Sequence, residues 1–210
     1  ADFSKTTGRQ PAPAPWAYGV GKRSSVGARA GDELEWRRLR REKIPVTFID
    51  DSVHFLPDAS QKGREDEVRA GNETLHNAGF KVVAYNNPYV SLTSDRVSDE
   101  RDFGQAHDYF LRDSANKTAS VAFVSGSLQP VATIDLTQPE AVTWFQSLLR
   151  RTVDASYDGW MHDFGEYVLR PFRSRTGENG DTLHNRFPVL SAHAAFAMLE
   201  QARPDDYLFF

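Results

Sequence analysis

Short apolar runs alternate with longer amphipathic segments along this chain, and that alternation constrains its fold more than any other feature. The amphipathic segments predict helices at residues 32–41, 64–78, near 99–111 and near 185–201. The apolar runs predict strands at residues 80–85, 160–164 and 207–210. Strands that alternate with helices form parallel sheets, so the sequence predicts an α/β fold.

The longest connection in this series has predicted elements of its own. Short apolar runs at residues 120–124 and 130–134 predict a hairpin inside an insertion near residues 112–136. Thr137 and Glu140 have the spacing of a capping box, which predicts that a helix begins there. The apolar side of that helix would comprise Ala141, Trp144, Phe145, Leu148 and Leu149.

Two carboxylates stand where the predicted strand at residues 160–164 ends. Asp163 is the second-last residue of this predicted strand, and Glu166 follows Gly165, where the chain would leave the sheet. Each of the two carboxylates has three open roles: a catalytic group, a ligand for a hydroxyl, or the ion-pair partner of Arg170. The neighbouring aromatic residues and His162 favour a functional site, because such a setting can stack on a sugar ring and tune a pKa.

Composition limits the class of protein but does not identify it. The 210 residues are 40% hydrophobic and 12% aromatic, as in an ordinary globular domain, and the formal net charge is -4. This charge argues against a nucleic-acid partner or an anionic membrane. The absence of cysteine excludes disulfides and thiolate metal sites, and the histidines show no paired ligand spacing, so no metal or cofactor is predicted.

The segment Trp160-Met161-His162-Asp163-Phe164-Gly165-Glu166-Tyr167 closely resembles the nucleophile segment of glycoside hydrolase family 31. The resemblance is strongest to the bacterial α-glucosidase and sulfoquinovosidase branch of that family. Other blocks are similar to family segments and follow the family's order, at residues 8–11 with 15–19, 44–51, 81–89, 135–141 with 144–145, and 184–188.

The resemblance implies a (β/α)8 TIM barrel. A closed barrel of this type has eight strands and roughly 250 residues. This chain shows about the first five strands, so residues 1–210 are expected to be the N-terminal half of a catalytic barrel domain. The remaining strands are expected beyond Phe210, and flanking β domains outside the chain, with a β-sandwich before Ala1.

The resemblance also implies a mechanism, that of a retaining α-glycosidase. Asp163 matches the nucleophile, which attacks the anomeric carbon and must be ionised, so hydrogen-bond donors are expected around it. The general acid/base of the family has no counterpart in this sequence and is expected beyond Phe210. In retaining enzymes the two carboxyl groups are about 5 to 5.5 Å apart.

The same resemblance implies a set of sugar-binding residues. Asp50 or Asp51, at the expected end of the second barrel strand at residues 44–51, matches the carboxylate that binds sugar hydroxyls, and adjacency leaves the choice between them open. Trp160 and His162 flank the nucleophile and either line the pocket or pack behind it. Glu166 is assigned a structural or sugar-adjacent role, not proton transfer.

The expected substrate is an oligosaccharide or a neutral α-glucoside, because residues 52–58 depart from the sulfonate-binding pattern of the sulfoquinovosidase branch. Three alternatives stay open: an α-glucosyltransferase, a sulfoquinovosidase, and a catalytically silent carbohydrate-binding barrel. The sequence leaves the compartment and the oligomeric state open.

Overall fold

The computed structural model describes residues 12–125 and 127–210, together with Lys5. Residues 8–11, which are similar to a family segment, lie outside the described residues. The strands are β1 (Val20–Arg23), β2 (Arg29–Ala30), β3 (Glu33–Leu34), β4 (Val46–His54), β5 (Lys81–Asn86), β6 (Tyr89–Ser91), β7 (Val121–Ser125), β8 (Ser127–Thr133), β9 (Gly159–His162) and β10 (Leu208–Phe209). The α-helices are α1 (Glu35–Arg41), α2 (Glu65–Asn77), α3 (Ser98–Ala106), α4 (Pro139–Asp154), α5 (Gly180–Leu183) and α6 (Phe187–Ala202).

The main sheet contains five strands in the order β1-β4-β5-β9-β10. Every neighbouring pair in it is parallel. Helices lie in the connections, with α1 between β1 and β4, α2 between β4 and β5, α4 before β9 and α6 before β10. The strands therefore follow one another around the sheet as in the first part of a (β/α)8 barrel, and the predicted α/β class is confirmed.

The core between the sheet and the helices explains why these segments fold as they do. Val82 and Ala84 of β5 are fully buried, as parallel strands covered by helices require. In α4 the residues at helical spacing form one buried face, which includes Phe145 and Leu149. Trp160 of β9 is also fully buried.

Gly159 permits the close approach of the last two strands. Its φ is 151°, and an added Cβ would lie 1.9 Å from the carbonyl oxygen of Leu208. Only a residue without a side chain fits between β9 and β10 at this point.

A second sheet, in the order β6-β8-β7, is antiparallel and lies in the connection between β5 and α4. Its strand β6 begins three residues after β5 ends, so it leaves from the carboxyl end of the main sheet. The ring of Phe123 in β7 packs at 4.7 Å from the ring of Phe164, in the segment that follows β9. The second sheet therefore supports the loop that carries Asp163.

Two predicted helices have different ends in the structure. Helix α1 begins at Glu35 and not at residue 32, because Glu33 and Leu34 pair with β2. Helix α3 ends at Ala106 and not near residue 111, because Asp108 takes a positive φ of 59° and Phe110 bridges to Ile134.

The predicted capping box is wrong. The N-cap of α4 is Gln138, which makes no side-chain capping bond, and Pro139 occupies the first turn. Proline lacks an N–H and has a φ that suits this position, so it fixes the start of the helix. The Thr137 hydroxyl instead donates to Asp135 Oδ1 at 2.7 Å.

Candidate active site

Asp163 lies immediately beyond the last residue of β9, at the carboxyl end of the sheet. Its N–H donates to the Asn86 carbonyl at 3.0 Å, which fixes its backbone to β5. The carboxylate is half-buried and accepts two hydrogen bonds, from the Tyr85 hydroxyl at 3.2 Å and from the Phe164 N–H at 3.1 Å. The sequence predicts hydrogen-bond donors around Asp163, and the structure places two beside its carboxylate.

The two residues after Asp163 form a strained turn. Phe164 has a φ of 65° and Gly165 a φ of 119°. A left-handed conformation is unfavourable for a bulky residue and persists only where the surrounding structure enforces it. Here the Gly165 N–H donates to the Tyr89 hydroxyl at 3.1 Å, and the Phe164 ring packs on Phe123. Tertiary contacts thus hold the turn that presents Asp163.

The main sheet has two sides, and hydrogen bonds identify which residues face each. Asn86 donates to Thr152 of α4 at 3.0 Å, and His162 bonds to Ser191 of α6 at 2.8 Å. We call this the helix-facing side. Because side chains alternate along a strand, Tyr85 and Asp163 lie on the opposite side, which we call the barrel-facing side.

Asp50 and Asp51 lie within β4, and not at its end, because the strand continues to His54. Asp50 pairs with Arg23 of β1 at 3.3 Å, on the barrel-facing side. Asp51 accepts a hydrogen bond from Tyr157 at 2.9 Å, on the helix-facing side. The structure therefore separates two carboxylates that the sequence could not distinguish.

Burial raises the pKa of both carboxyl groups above their ordinary values. For Asp50 the charge of Arg23 opposes the effect of burial. For Asp51 the opposing interaction is the hydrogen bond from Tyr157. Asp50 is therefore a partly buried carboxyl group with a cation beside it, on the same side of the sheet as Asp163.

His54 joins this group, although the sequence analysis did not select it. Its ring stacks on Tyr85 with centroids 4.1 Å apart and an angle of 22° between the planes. Burial lowers the pKa of His54, against the opposing charges of Asp58, Asp50 and Asp163. A signal existed: Asp50 and His54 are four residues apart, a spacing that places two residues of one strand on the same side.

Trp160 and His162, which were predicted to bind substrate, both lie on the helix-facing side. Trp160 is fully buried and packs near Phe209. His162 stacks on Phe209 with centroids 5.4 Å apart, and burial lowers its pKa to about 4. Of the two alternatives that the sequence left open, these contacts favour packing behind Asp163.

Glu166 is exposed, three residues after Asp163. Arg170, the ion-pair partner considered for either carboxylate, binds Asp181 at 2.7 Å. The described contacts therefore leave the structural or sugar-adjacent role of Glu166 as a prediction.

A cavity of about 930 Å³ opens at the other end of the sheet, where the strands begin. Its lining includes Asp158 and three residues that bind the Asp158 carboxylate: His76, Lys81 and Arg203. Barrel enzymes place their chemistry at the carboxyl ends of the strands, so this end is assigned to stability.

Within the described part of the chain, no three His, Asp or Glu side chains are grouped to hold a metal ion. Among the same residues, no helix is long and apolar enough to span a membrane.

Comparison with known proteins agrees with this architecture. Residues 10–210 match the family model described as the glycosyl hydrolases family 31 TIM-barrel domain. The chain is 31% identical over 134 residues to a sulfoquinovosidase of Escherichia coli K12, covering 63% of this chain and 19% of that protein. It is 27% identical over 219 residues to a sulfoquinovosidase of Agrobacterium fabrum, covering 97% of this chain and 32% of that protein.

The solved structures include one of similar fold from E. rectale, a family 31 sulfoquinovosidase in complex with an aza-sugar inhibitor. The TM-score is 0.76 at 22% identity, and the match covers 100% of this chain and 32% of that one. The predicted barrel is confirmed by these matches. The chain spans between about a fifth and a third of the length of the two curated relatives.

Proposed function

Because this chain belongs to the TIM-barrel domain family of glycosyl hydrolases family 31, we propose that it forms part of a retaining α-glycosidase. The single observation that carries the proposal is the placement of Asp163. A carboxylate at the carboxyl end of a barrel strand, held by two donors on a strained turn, has the setting of a nucleophile.

In the proposed reaction, an oxygen of Asp163 forms a bond to the anomeric carbon as the bond to the leaving oxygen breaks. A general acid protonates the leaving oxygen. Water, deprotonated by the same group, then releases the sugar from Asp163. The group that acts as general acid and then as general base is a second carboxyl group, and we propose that it is not Glu166. We place it outside these 210 residues, since the chain covers only a minor part of its relatives.

Asp50 is the proposed ligand for sugar hydroxyl groups. It shares the barrel-facing side with Asp163, whereas Asp51 binds Tyr157 on the other side. Trp160 and His162 are proposed to support the strand from behind, and exposed Glu166 to lie at the margin of the site.

A neutral α-glucoside is the first candidate substrate. Two carboxylates, Asp50 and Asp163, occupy the barrel-facing side, and the nearby cation Arg23 already pairs with Asp50. An anionic substituent on the sugar would therefore meet like charge without a free positive partner among these residues.

A sulfoquinovoside is the second candidate, favoured by the two sulfoquinovosidases among the curated relatives. Comparing kcat/KM of the full-length protein for p-nitrophenyl α-glucoside and p-nitrophenyl α-sulfoquinovoside decides between them. We expect the neutral glycoside to be preferred, and a preference for the sulfonated one would reverse the order. Product analysis with maltooligosaccharides would reveal transfer to a second sugar in place of hydrolysis.

Trapping tests the nucleophile. In the full-length protein, 5-fluoro-α-glucosyl fluoride should leave a covalent adduct on the peptide that contains Asp163. The fluorine slows both steps, while the good leaving group keeps formation faster than breakdown. Mass spectrometry of the digested protein locates the label.

Two variants serve as controls for the trapping experiment. Asp163→Ala should abolish labelling and lower kcat by several orders of magnitude, since the nucleophile is lost. Glu166→Gln should still form the adduct. Label on Glu166 together with an active Asp163→Ala variant would overturn the assignment, and turnover without any adduct would count against the retaining mechanism.

A further inference from the structure

Tyr85 combines a buried ring with a hydroxyl that contacts Asp163. Its side chain lies on the barrel-facing side of β5 and is 5% exposed, while its hydroxyl donates to Asp163 Oδ2 at 3.2 Å. A buried tyrosine ring generally directs its hydroxyl to a polar partner. Here the partner is the carboxylate to which we assign the chemistry.

The Tyr85 ring is itself held on one face. The imidazole of His54 stacks on it with centroids 4.1 Å apart and planes inclined by 22°. His54 lies at the end of β4, and its N–H donates to the Ser60 hydroxyl at 2.8 Å, which fixes the backbone there. The chain of contacts runs from β4 through His54 and Tyr85 to Asp163 at the end of β9.

The other carboxylate oxygen is held from the backbone. Asp163 Oδ1 accepts the Phe164 N–H, and that N–H belongs to the strained turn. Each oxygen of Asp163 therefore has a donor of fixed position, one from the next residue and one from Tyr85 on the neighbouring strand. Two fixed donors define the plane of a carboxylate, whereas one leaves it free to rotate.

We propose that Tyr85 is a positioning residue, which holds the Asp163 carboxylate in the orientation needed to attack the anomeric carbon. The inference rests on the proposed function of Asp163. The hydroxyl takes no part in bond making, and its effect is to reduce the number of orientations that the nucleophile samples before attack.

Tyr85→Phe in the full-length protein is the direct test, because it removes the hydroxyl and keeps the ring that stacks on His54. We expect kcat to fall roughly tenfold to a hundredfold, the size of effect typical of a lost hydrogen bond to a charged group. KM and the melting temperature should change little, since the hydroxyl contacts the nucleophile and not the substrate. The rate of adduct formation with the fluorosugar should fall with kcat.

The crystal structure of Tyr85→Phe gives a readout that does not depend on activity. The Asp163 carboxylate should turn or occupy more than one orientation. Tyr109→Phe is the matched control. Tyr109 packs on Phe103 of α3 and Trp144 of α4, and the loss of its hydroxyl should alter neither kcat nor the Asp163 carboxylate.

A Tyr85→Phe variant with unchanged kcat and an unchanged Asp163 carboxylate would overturn the proposal. Failure of the proposed function looks different: the wild-type protein would turn over substrate with no label on Asp163. In that event the role of Tyr85 in the attack is rejected as well, and the crystal structure of Tyr85→Phe shows only whether the hydroxyl orients the Asp163 carboxylate.

Discussion

Asp50 and Asp51 are neighbours in sequence and have opposite surroundings. Asp50 contacts Arg23 on the side of the sheet that carries Asp163, while Asp51 accepts a hydrogen bond from buried Tyr157. The same residue type is thus available to a substrate at one position and part of the core at the next. The alternation of side chains along β4 is the cause.

Alanine substitutions should separate the two roles. Asp50→Ala should lower kcat/KM by roughly tenfold to a hundredfold, with little change in stability, because the charged group that we propose as the ligand of the sugar hydroxyls is lost. Asp51→Ala should lower the free energy of unfolding by about 1–3 kcal/mol, since the buried Tyr157 hydroxyl loses its partner. Steady-state kinetics and urea unfolding of the full-length protein measure the two effects. The reverse pattern would show that Asp51 is the sugar ligand.

The residues of the site were only partly predictable from sequence. A motif places Asp163 at a strand end, but it does not specify the tertiary partners. Tyr85, which donates to Asp163, is 78 residues away in sequence, and Tyr89, whose hydroxyl accepts the Gly165 N–H, is 76 residues from Gly165. His54 was missed because β4 was expected to end at residue 51. The left-handed Phe164 has no sequence signal at all, since it depends on packing against Phe123.

At the scale of elements, long amphipathic helices were predictable and their ends were not. Helix α4 shows its buried face in sequence, because that pattern needs only the helical period. The start of α1 depends instead on the pairing of Glu33 and Leu34 with β2, and the end of α3 on the bridge from Phe110 to Ile134. Pairing between distant segments leaves no local pattern.

The antiparallel sheet β6-β8-β7 is the element that supports the turn after Asp163. Phe123 of β7 is fully buried and contacts Tyr89, Phe164 and Tyr167. Phe123→Ala should lower the free energy of unfolding by about 3–5 kcal/mol, as for other large core truncations. It should also increase amide hydrogen exchange selectively in residues 163–167.

Phe145→Ala is the matched control for this prediction. Phe145 is also fully buried, but it belongs to α4 and packs in the main core. Its loss should destabilise the protein by a similar amount without selective exchange in residues 163–167. Equal protection of that segment in the two variants would show that the second sheet does not hold the turn.

At the scale of the whole molecule, one buried carboxylate connects distant parts of the chain at the end opposite the site. The Asp158 carboxylate binds His76 in the last turn of α2, Lys81 at the start of β5 and Arg203 just after α6. Asp206 binds Lys81 and Arg203 and accepts a hydrogen bond from Trp16. The network therefore joins Trp16, near the start of the described chain, to the segment just before β10, at the end of the sheet opposite Asp163.

The pH dependence of stability should reflect Asp158. Burial alone would raise the pKa of its carboxyl group, but the hydrogen bonds from His76 and the Val82 N–H, with the charge of Arg203, outweigh burial and bring the pKa below the ordinary value of 3.8. A carboxyl group with a lowered pKa in the folded state contributes stability above its unfolded pKa. That contribution is lost as the pH falls through the folded pKa.

Asp158→Asn tests this directly, because the amide keeps the shape and removes the charge. Near pH 6 the variant should be less stable than wild type by about 3–5 kcal/mol, the usual cost of removing one partner from a buried charged pair. The difference should begin to shrink below about pH 4, the ordinary pKa of an aspartate in the unfolded chain, and should go on shrinking as the pH falls towards the lower pKa of the folded state. Urea unfolding of the full-length protein at pH 6, 4 and 3 measures the difference. Asp154→Asn is the control: it breaks the exposed pair with Arg150 and should change the free energy of unfolding by less than about 1 kcal/mol at each pH. A difference that stays constant from pH 6 to pH 3 would mean that Asp158 acts through its shape and hydrogen bonds, and that its charge does not hold this end of the barrel together.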